Sequence, residues 1–246
     1  MAASLNPILS LAGLGKRFGA VVVAQDLGLE VTRGEALGIL GPNGAGKTSL
    51  FGMITGTLKP DAGRVLFDGR DVTDLSPAAR CRAGIARSFQ VPQPFGGMTV
   101  FENLVVAAAF GEGMSERESY RHCYEILEKC GLGDRANKLA GALTLLDRKR
   151  LELARALATR PSLLLLDEVA GGLSEHECHA LVALIREVHA SGVTIVWIEH
   201  VVHALIAVVS RLVVLHGGNF IANGVPGEVI RSPLVAEIYM GIEADG

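Results

Sequence analysis

The chain has 246 residues, 49% of them hydrophobic, and a formal net charge of −3. Such a chain can bury the core of one large α/β domain, with room for a sizeable insertion. The near-neutral balance and the dispersed Lys and Arg residues argue against a nucleic-acid surface, so no nucleic-acid partner is expected.

Met1 to Pro7 lacks a basic segment followed by an apolar one and does not read as a secretory leader. Ile8 to Val31 alternates short apolar runs with turn residues, which predicts a small antiparallel sheet. Ala36-Leu37-Gly38-Ile39-Leu40 predicts a buried strand, and Thr48 to Leu58 predicts a helix. Between them, Gly41-Pro42-Asn43-Gly44-Ala45-Gly46-Lys47-Thr48 fits G-x-x-x-x-G-K-[ST]. In that context the octapeptide is a phosphate-binding loop. Its glycines let successive backbone N–H groups approach phosphate oxygens, and the helix start adds positive dipole. Lys47 would reach the β- and γ-phosphates, and Thr48 would offer its hydroxyl to Mg²⁺. Ser49, next on the helix, joins the candidate nucleotide-binding set.

Arg64 to Phe67 and Arg70 to Val72 flank Asp68-Gly69, a strong hairpin-turn dipeptide. Ser76-Pro77 predicts a short helix with proline at its first position. Gln90 follows the apparent edge of the core and carries almost no information by itself. From Val100 to Thr159 the texture is helical. Ser115-Glu116-Arg117-Glu118 reads as a capping box, with Tyr120, Tyr124, Leu127 and Cys130 predicted on one face before Gly131 ends the run. A further helix is predicted from Asp147 to Ala158, stopping before Pro161.

Ser162 to Leu166 is a continuous apolar strand that ends in Asp167-Glu168. Such a strand is buried in a parallel sheet, and ligands bind beyond the carboxyl ends of such strands. Asp167 would hold Mg²⁺ directly or through water, and Glu168 would orient and deprotonate an attacking water. Ser174-Glu175-His176-Glu177 opens another capped helix, which Gly192 ends. Val193 to Ile198 and Arg211 to Leu215 are two further strands; His200 is read as the end of the first, at the same sheet edge. Strand–loop–helix units around a helical block indicate a parallel-sheet core with a helical subdomain.

Cys81, Cys123, Cys130 and Cys178 show no C-x-x-C spacing and read as reduced core residues rather than a metal site. The most apolar region, Val193 to Leu215, holds Glu199, His200, His203 and Arg211, so it does not span a membrane. A membrane role would come through a partner.

Taken in order, Phe18 in Lys16-Arg17-Phe18-Gly19, the phosphate loop, Gln90, Ala154-Arg155-Ala156-Leu157, Asp167-Glu168 and His200 resemble the ATP-binding subunit of an ABC transporter over nearly the whole chain. The resemblance implies a P-loop NTPase (RecA-like) parallel-sheet core, an N-terminal antiparallel β subdomain and an inserted α-helical subdomain. It gives one ABC ATPase domain over 8–241, with core at about 8–88 and 160–225, helical subdomain at about 89–159 and a tail at about 226–246. ATP and Mg²⁺ are the implied cofactors. Phe18 would stack on adenine, Gln90 would sense Mg²⁺ and face the membrane partner, and His200 would act as the switch histidine. The implied partners are a second ATPase subunit (homo- or heterodimer), two transmembrane permease subunits and, indirectly, a solute-binding protein. The implied location is cytoplasmic, peripheral on the inner face of the cell membrane.

A narrower resemblance is to importers of branched-chain amino acids and related amides or urea. It rests on Ala86 to Gln90, Met98 to Leu104, Arg150 to Arg155, Asp167 to Leu173, Ile198 to His200, Gly224 to Val229 and Tyr239-Met240-Gly241. The docking surface toward the membrane subunits is expected from Gln90 to Thr99, where Val91, Pro92, Pro94 and Phe95 give an apolar face. The chain departs from the family at its signature, L-S-G-G-Q, which aligns with Leu143-Thr144-Leu145-Leu146-Asp147. Leucines replace both glycines, and Asp147 would repel a γ-phosphate unless Arg148, Lys149 or Arg150 offset it. Val169 stands where proline is usual, and Ser174 where Asp or Asn is usual. Two other classes stay open at this point: a soluble ABC-type ATPase without transport, and a nucleotide-binding subunit with weak hydrolysis because of that signature.

Overall fold

The computed structural model describes residues 7–111 and 115–240. The leader reading at Met1 to Asn6, and the predicted tail from Gly241 onward, lie outside the described residues. By compactness the chain divides into two units at Pro77/Ala78 and at Val193/Thr194.

The first unit opens with two long antiparallel strands, β1 (Pro7–Phe18) and β2 (Val21–Thr32), the predicted sheet. β3 (Ala36–Leu40) has every residue buried, as its unbroken apolar run requires, and leads through the loop into α1 (Lys47–Thr55). The helix is shorter than predicted because Gly56 adopts φ 80 and turns the chain out. β4 (Ala62–Phe67) and β5 (Arg70–Asp71) form the hairpin, with Asp68 at φ 50 and Gly69 at φ 75, the left-handed pair such a turn demands. The antiparallel sheet has the order β2-β1-β4-β5.

The second unit follows from α2 (Pro77–Ala83), which begins at the junction. β6 (Ile85–Ser88) precedes α3 (Val100–Gly111), α4 (Glu116–Lys129), two 3₁₀ turns at Gly133–Arg135 and Ala140–Ala142, and α5 (Leu145–Ala158). β7 (Leu163–Asp167) pairs parallel with β6, and α6 (Glu175–Ala190) closes the unit with the Ser174/Glu177 capping box intact. The Ser115/Glu118 box is formed as well. The stripe predicted on α4 is displaced: Tyr120 and Tyr124 are exposed, whereas Ser119, Cys123, Ile126, Leu127 and Cys130 face inward. Each phenol has a reason to stay outside. Tyr120 sits edge-on to Phe101 at 5.5 Å, and Glu128 beside Tyr124 pushes its hydroxyl above the usual phenol range.

The chain returns to the first unit with β8 (Thr194–Ile198), α7 (Val202–Ile206), β9 (Arg211–His216) and β10 (Asn219–Gly224), then α8 (Pro226–Arg231) and α9 (Pro233–Met240). β3 lies between β8 and β9, parallel to both, and β10 adds an antiparallel edge. That edge was not predicted, since Asn219 to Gly224 alternates too weakly to read as a strand. The core of this unit is built from Leu37, Ile39, Leu50, Phe51, Trp197 and Leu212 to Leu215, all essentially inaccessible. In the second unit Leu104, Leu127, Leu151, Leu163 to Leu166 and Ile185 do the same.

Candidate nucleotide and hydrolysis site

In the first unit, parallel pairing fixes where the loop sits. Ile39 is opposite Ile198 and Leu40 is opposite Val214, so β3 delivers Gly41 to the carboxyl edge of the sheet. Asn43, Gly44 and Thr48 are exposed there, and α1 begins with no side chain capping it. Packing beneath the loop leaves no space for a side chain at Gly41 or Gly46. A Cβ on Gly41 would lie 2.4 Å from the Leu215 carbonyl oxygen, and one on Gly46 would lie 2.3 Å from that of Val23. Gly46 also holds φ 100, which L-residues avoid. The result is bare main chain at an uncapped helix start, which suits an anionic phosphate group.

Lys47 is only 6% exposed. Its Nζ donates to the carbonyls of Gly41, at 2.5 Å, and Pro42, at 3.0 Å, so the lysine is folded over its own loop. Ser49 is half-buried one residue beyond the exposed Thr48. The strand predicted to reach His200 stops at Ile198. Glu199 is buried, its carboxylate accepts the His200 backbone N–H at 2.9 Å, and His200 lies exposed in a bend. His200 therefore shares the sheet edge with the phosphate loop but leaves it on a bend, not a strand.

Phe18 ends β1 with half its surface exposed, opposite Val21 and near the β2 segment that supports Gly46. The ammonium of Lys16 lies 5.5 Å from the Phe18 ring centroid and is tied to Asp61 at 2.7 Å. That lysine, together with the Arg17 backbone N–H at 2.8 Å, holds the Asp61 carboxyl below the usual range.

In the second unit, β7 ends on the buried Asp167, whose carboxylate accepts from Arg87 Nη2 of β6. Glu168 follows at φ 48, a left-handed conformation uncommon for a residue with a Cβ. Its Oε2 accepts from Gln90 Nε2 at 2.5 Å. The structure thus brings together Asp167, Glu168 and Gln90, and adds Arg87, which the sequence did not single out. An interior carboxylate that already holds a cation fits a role in binding Mg²⁺.

The segment after Gln90 is fastened to α5. Lys149 Nζ donates to the Gln90 carbonyl at 3.4 Å, and Glu152 accepts from the Gln93 N–H at 3.1 Å. Arg155 donates to the Gln93 carbonyl at 3.1 Å while its guanidinium stacks 5.2 Å from the Phe95 centroid. Phe89, Val91 and Phe95 remain exposed. The sequence offers Lys149 as a counter-charge for Asp147 and Glu152 and Arg155 only within a motif; their spacing of three along α5 is the signal for this shared role.

The signature replacement also resolves. Thr144 caps α5 by accepting from the Asp147 N–H at 3.3 Å. Asp147 is buried and faces Arg135 at 3.0 Å and Arg150 at 3.8 Å, so its charge is neutralised locally and the expected repulsion is offset. Of the three cations adjoining it in sequence, Arg150 pairs with it directly. Lys149 holds Gln90, and Arg148 donates to the Gly141 carbonyl. Leu145 is 44% exposed and reaches toward Gly172, where an added Cβ would lie 3.4 Å from it. Among the described residues no group of three or more His, Cys, Asp or Glu forms a metal cluster, and no helix is long and apolar enough to cross a membrane.

The family model described as ABC transporter matches residues 24–171. A high-affinity branched-chain amino acid transport ATP-binding protein of Pseudomonas aeruginosa, BraF, is 35% identical over 96% of this chain and 98% of its own. The LivG protein of Escherichia coli, with the same description, has the same identity and coverage. The solved ADP conformation of an ATP-binding cassette of an ABC transporter superposes with a TM-score of 0.89 at 34% identity, over 96% of this chain and 99% of that one. The expected fold class holds, and the chain belongs to the ABC transporter family, among its ATP-binding cassettes.

Proposed function

We propose that the chain is the ATP-hydrolysing, energy-coupling subunit of an importer for branched-chain amino acids or related amides or urea. It works with a second ATPase subunit and two transmembrane permease subunits, on the cytoplasmic face of the cell membrane, and a solute-binding protein supplies the solute. The observation that carries the hydrolytic reading is the bare loop at Gly41–Thr48 in a chain whose β7 ends on a buried carboxylate followed by Glu168. The solute class rests on the names of full-length relatives.

Lys47 leaves the carbonyls of Gly41 and Pro42 and turns its ammonium to the β- and γ-phosphates. Thr48, Asp167 and Gln90 would hold Mg²⁺, whose chemistry would be to neutralise charge on the phosphate oxygens. Glu168 accepts a proton from the attacking water and is aimed by the amide of Gln90. His200 contacts the γ-phosphate. Phe18 takes the adenine ring, with the remaining loop residues Pro42, Asn43, Gly44, Ala45 and Ser49 around the phosphates.

A second reading concerns rate, and the exposed Leu145 favours it. The composite site completed by this chain's own Thr144–Asp147 is slower than the one completed by a partner with a glycine signature. Both readings are tested in the reconstituted transporter with the base changed to Gln in one subunit at a time. Glu168→Gln is expected to lower ATPase activity and leucine uptake roughly a hundredfold or more. Activity near wild type, with loss only on changing the partner's base, would reverse the assignment.

A further inference from the structure

We propose that Arg87 is the resident counter-cation of Asp167, a positioning residue that the divalent cation displaces. The inference rests on reading Asp167 as part of the Mg²⁺ position and goes beyond it by assigning what that carboxylate does before the metal arrives.

The placement follows from strand register. Arg87 of β6 is opposite Leu165 of β7, and Asp167 lies two residues further on the same face. A long side chain leaning along the strand therefore reaches the carboxylate, and Arg87 Nη2 donates to Asp167 Oδ2. The two side chains are 10% and 5% exposed. β6 reads Ile-Ala-Arg-Ser, a short run with three buried residues, in which an arginine is out of place unless it has a partner.

Each group explains the other. A buried carboxylate without a counter-charge is strongly disfavoured, and a buried guanidinium equally so. Arg87 supplies the counter-charge through a planar, delocalised guanidinium suited to a carboxylate. Its Cζ also stands 5.0 Å from the Phe89 ring centroid, which gives the guanidinium a second site of attraction.

A guanidinium and a divalent cation compete for the same carboxylate oxygens. Arg87 consequently holds the Asp167 carboxylate in place while no metal is bound, and raises the Mg²⁺ concentration needed to engage it. Nucleotide alone leaves the pair closed; nucleotide with Mg²⁺ opens it. No bond is made or broken beyond this exchange of ionic partners.

The test uses the full chain with a non-hydrolysable fluorescent ATP analogue, titrating Mg²⁺ and following nucleotide affinity and thermal midpoint. Arg87→Gln should lower the midpoint in chelator and show a larger recovery with Mg²⁺ and nucleotide than wild type. Its half-saturating Mg²⁺ should fall about tenfold, the shift expected on removing a buried competitor. Arg87→Lys retains charge but not the planar fork, and should shift in the same direction by about threefold. This variant carries the test if the glutamine protein does not fold.

Asp167→Asn separates the two levels. If Asp167→Asn keeps the wild-type Mg²⁺ dependence, the assignment of Asp167 to the metal fails. If Asp167→Asn loses it while Arg87→Gln and Arg87→Lys titrate like wild type, the assignment stands. In that case Arg87 is a structural ion pair only, and the inference is overturned.

Discussion

Two helix starts in this chain meet the same physical problem and solve it in opposite ways. α1 begins at Gly46 with no capping side chain, no acid in its first turn and, at Gly46 itself, too little space to bear a Cβ. α5 begins at Thr144 with a hydroxyl cap, a buried aspartate in its first turn and a leucine facing solvent. Every helix start offers N–H groups and positive dipole that favour an anion. α1 leaves that demand open for an anion from outside, whereas α5 satisfies it with its own Asp147. The difference teaches that a helix N-terminus becomes a phosphate site only when the sequence withholds its internal anion and cap.

Filling the open start should give the largest effect. Gly46→Ala introduces a φ that costs about 1–2 kcal/mol and a clash with the Val23 carbonyl. We expect ATP affinity, read by calorimetry, to fall on the order of a hundredfold; retained affinity would mean the loop tolerates side chains and the contrast with α5 is superficial. Opening the filled start should give an intermediate effect. With Glu168→Gln silencing this chain's own loop in the reconstituted transporter, the residual ATPase reports the composite site proposed for α5. Replacing Leu145 and Leu146 by glycine should raise it about tenfold, at a stability cost of about 1 kcal/mol per glycine. No rise would show that the leucines are not what slows that site. The smallest effect belongs to the cap itself. Thr144→Ala should cost about 1 kcal/mol in urea unfolding while ATP affinity stays at wild type; a neutral result would leave α5 without the satisfied start described above.

What was legible in the sequence follows the range of the interactions. The phosphate loop, the Ser115 and Ser174 boxes and the Asp68-Gly69 turn are local chemistry, and each stands where its residues predicted. Arg150 is among the cations the sequence offers to offset Asp147, but the nearer partner of that aspartate, Arg135, lies on a 3₁₀ turn that no periodicity announces. Arg87 was passed over since its meaning depends on the register of β6 against β7, which a sequence does not print. On α4, counting Tyr as core rotated the buried stripe by about one residue. An amphipathic ring is content at the surface when a neighbouring ring or carboxylate meets it.

The fastening of the Gln90–Phe95 segment by Lys149, Glu152 and Arg155 has a mechanical consequence. α5 is a stiff rod of 14 residues, about 21 Å long, and these three side chains grip the segment at successive turns. Such a grip transmits torque: the segment cannot slide or twist unless the rod rolls with it. A push delivered at Leu145, on the rod's first turn, is therefore expected to reach Phe95 as rotation, with the hydrogen bonds acting as gear teeth between the start of the helix and the exposed apolar side chains of the loop.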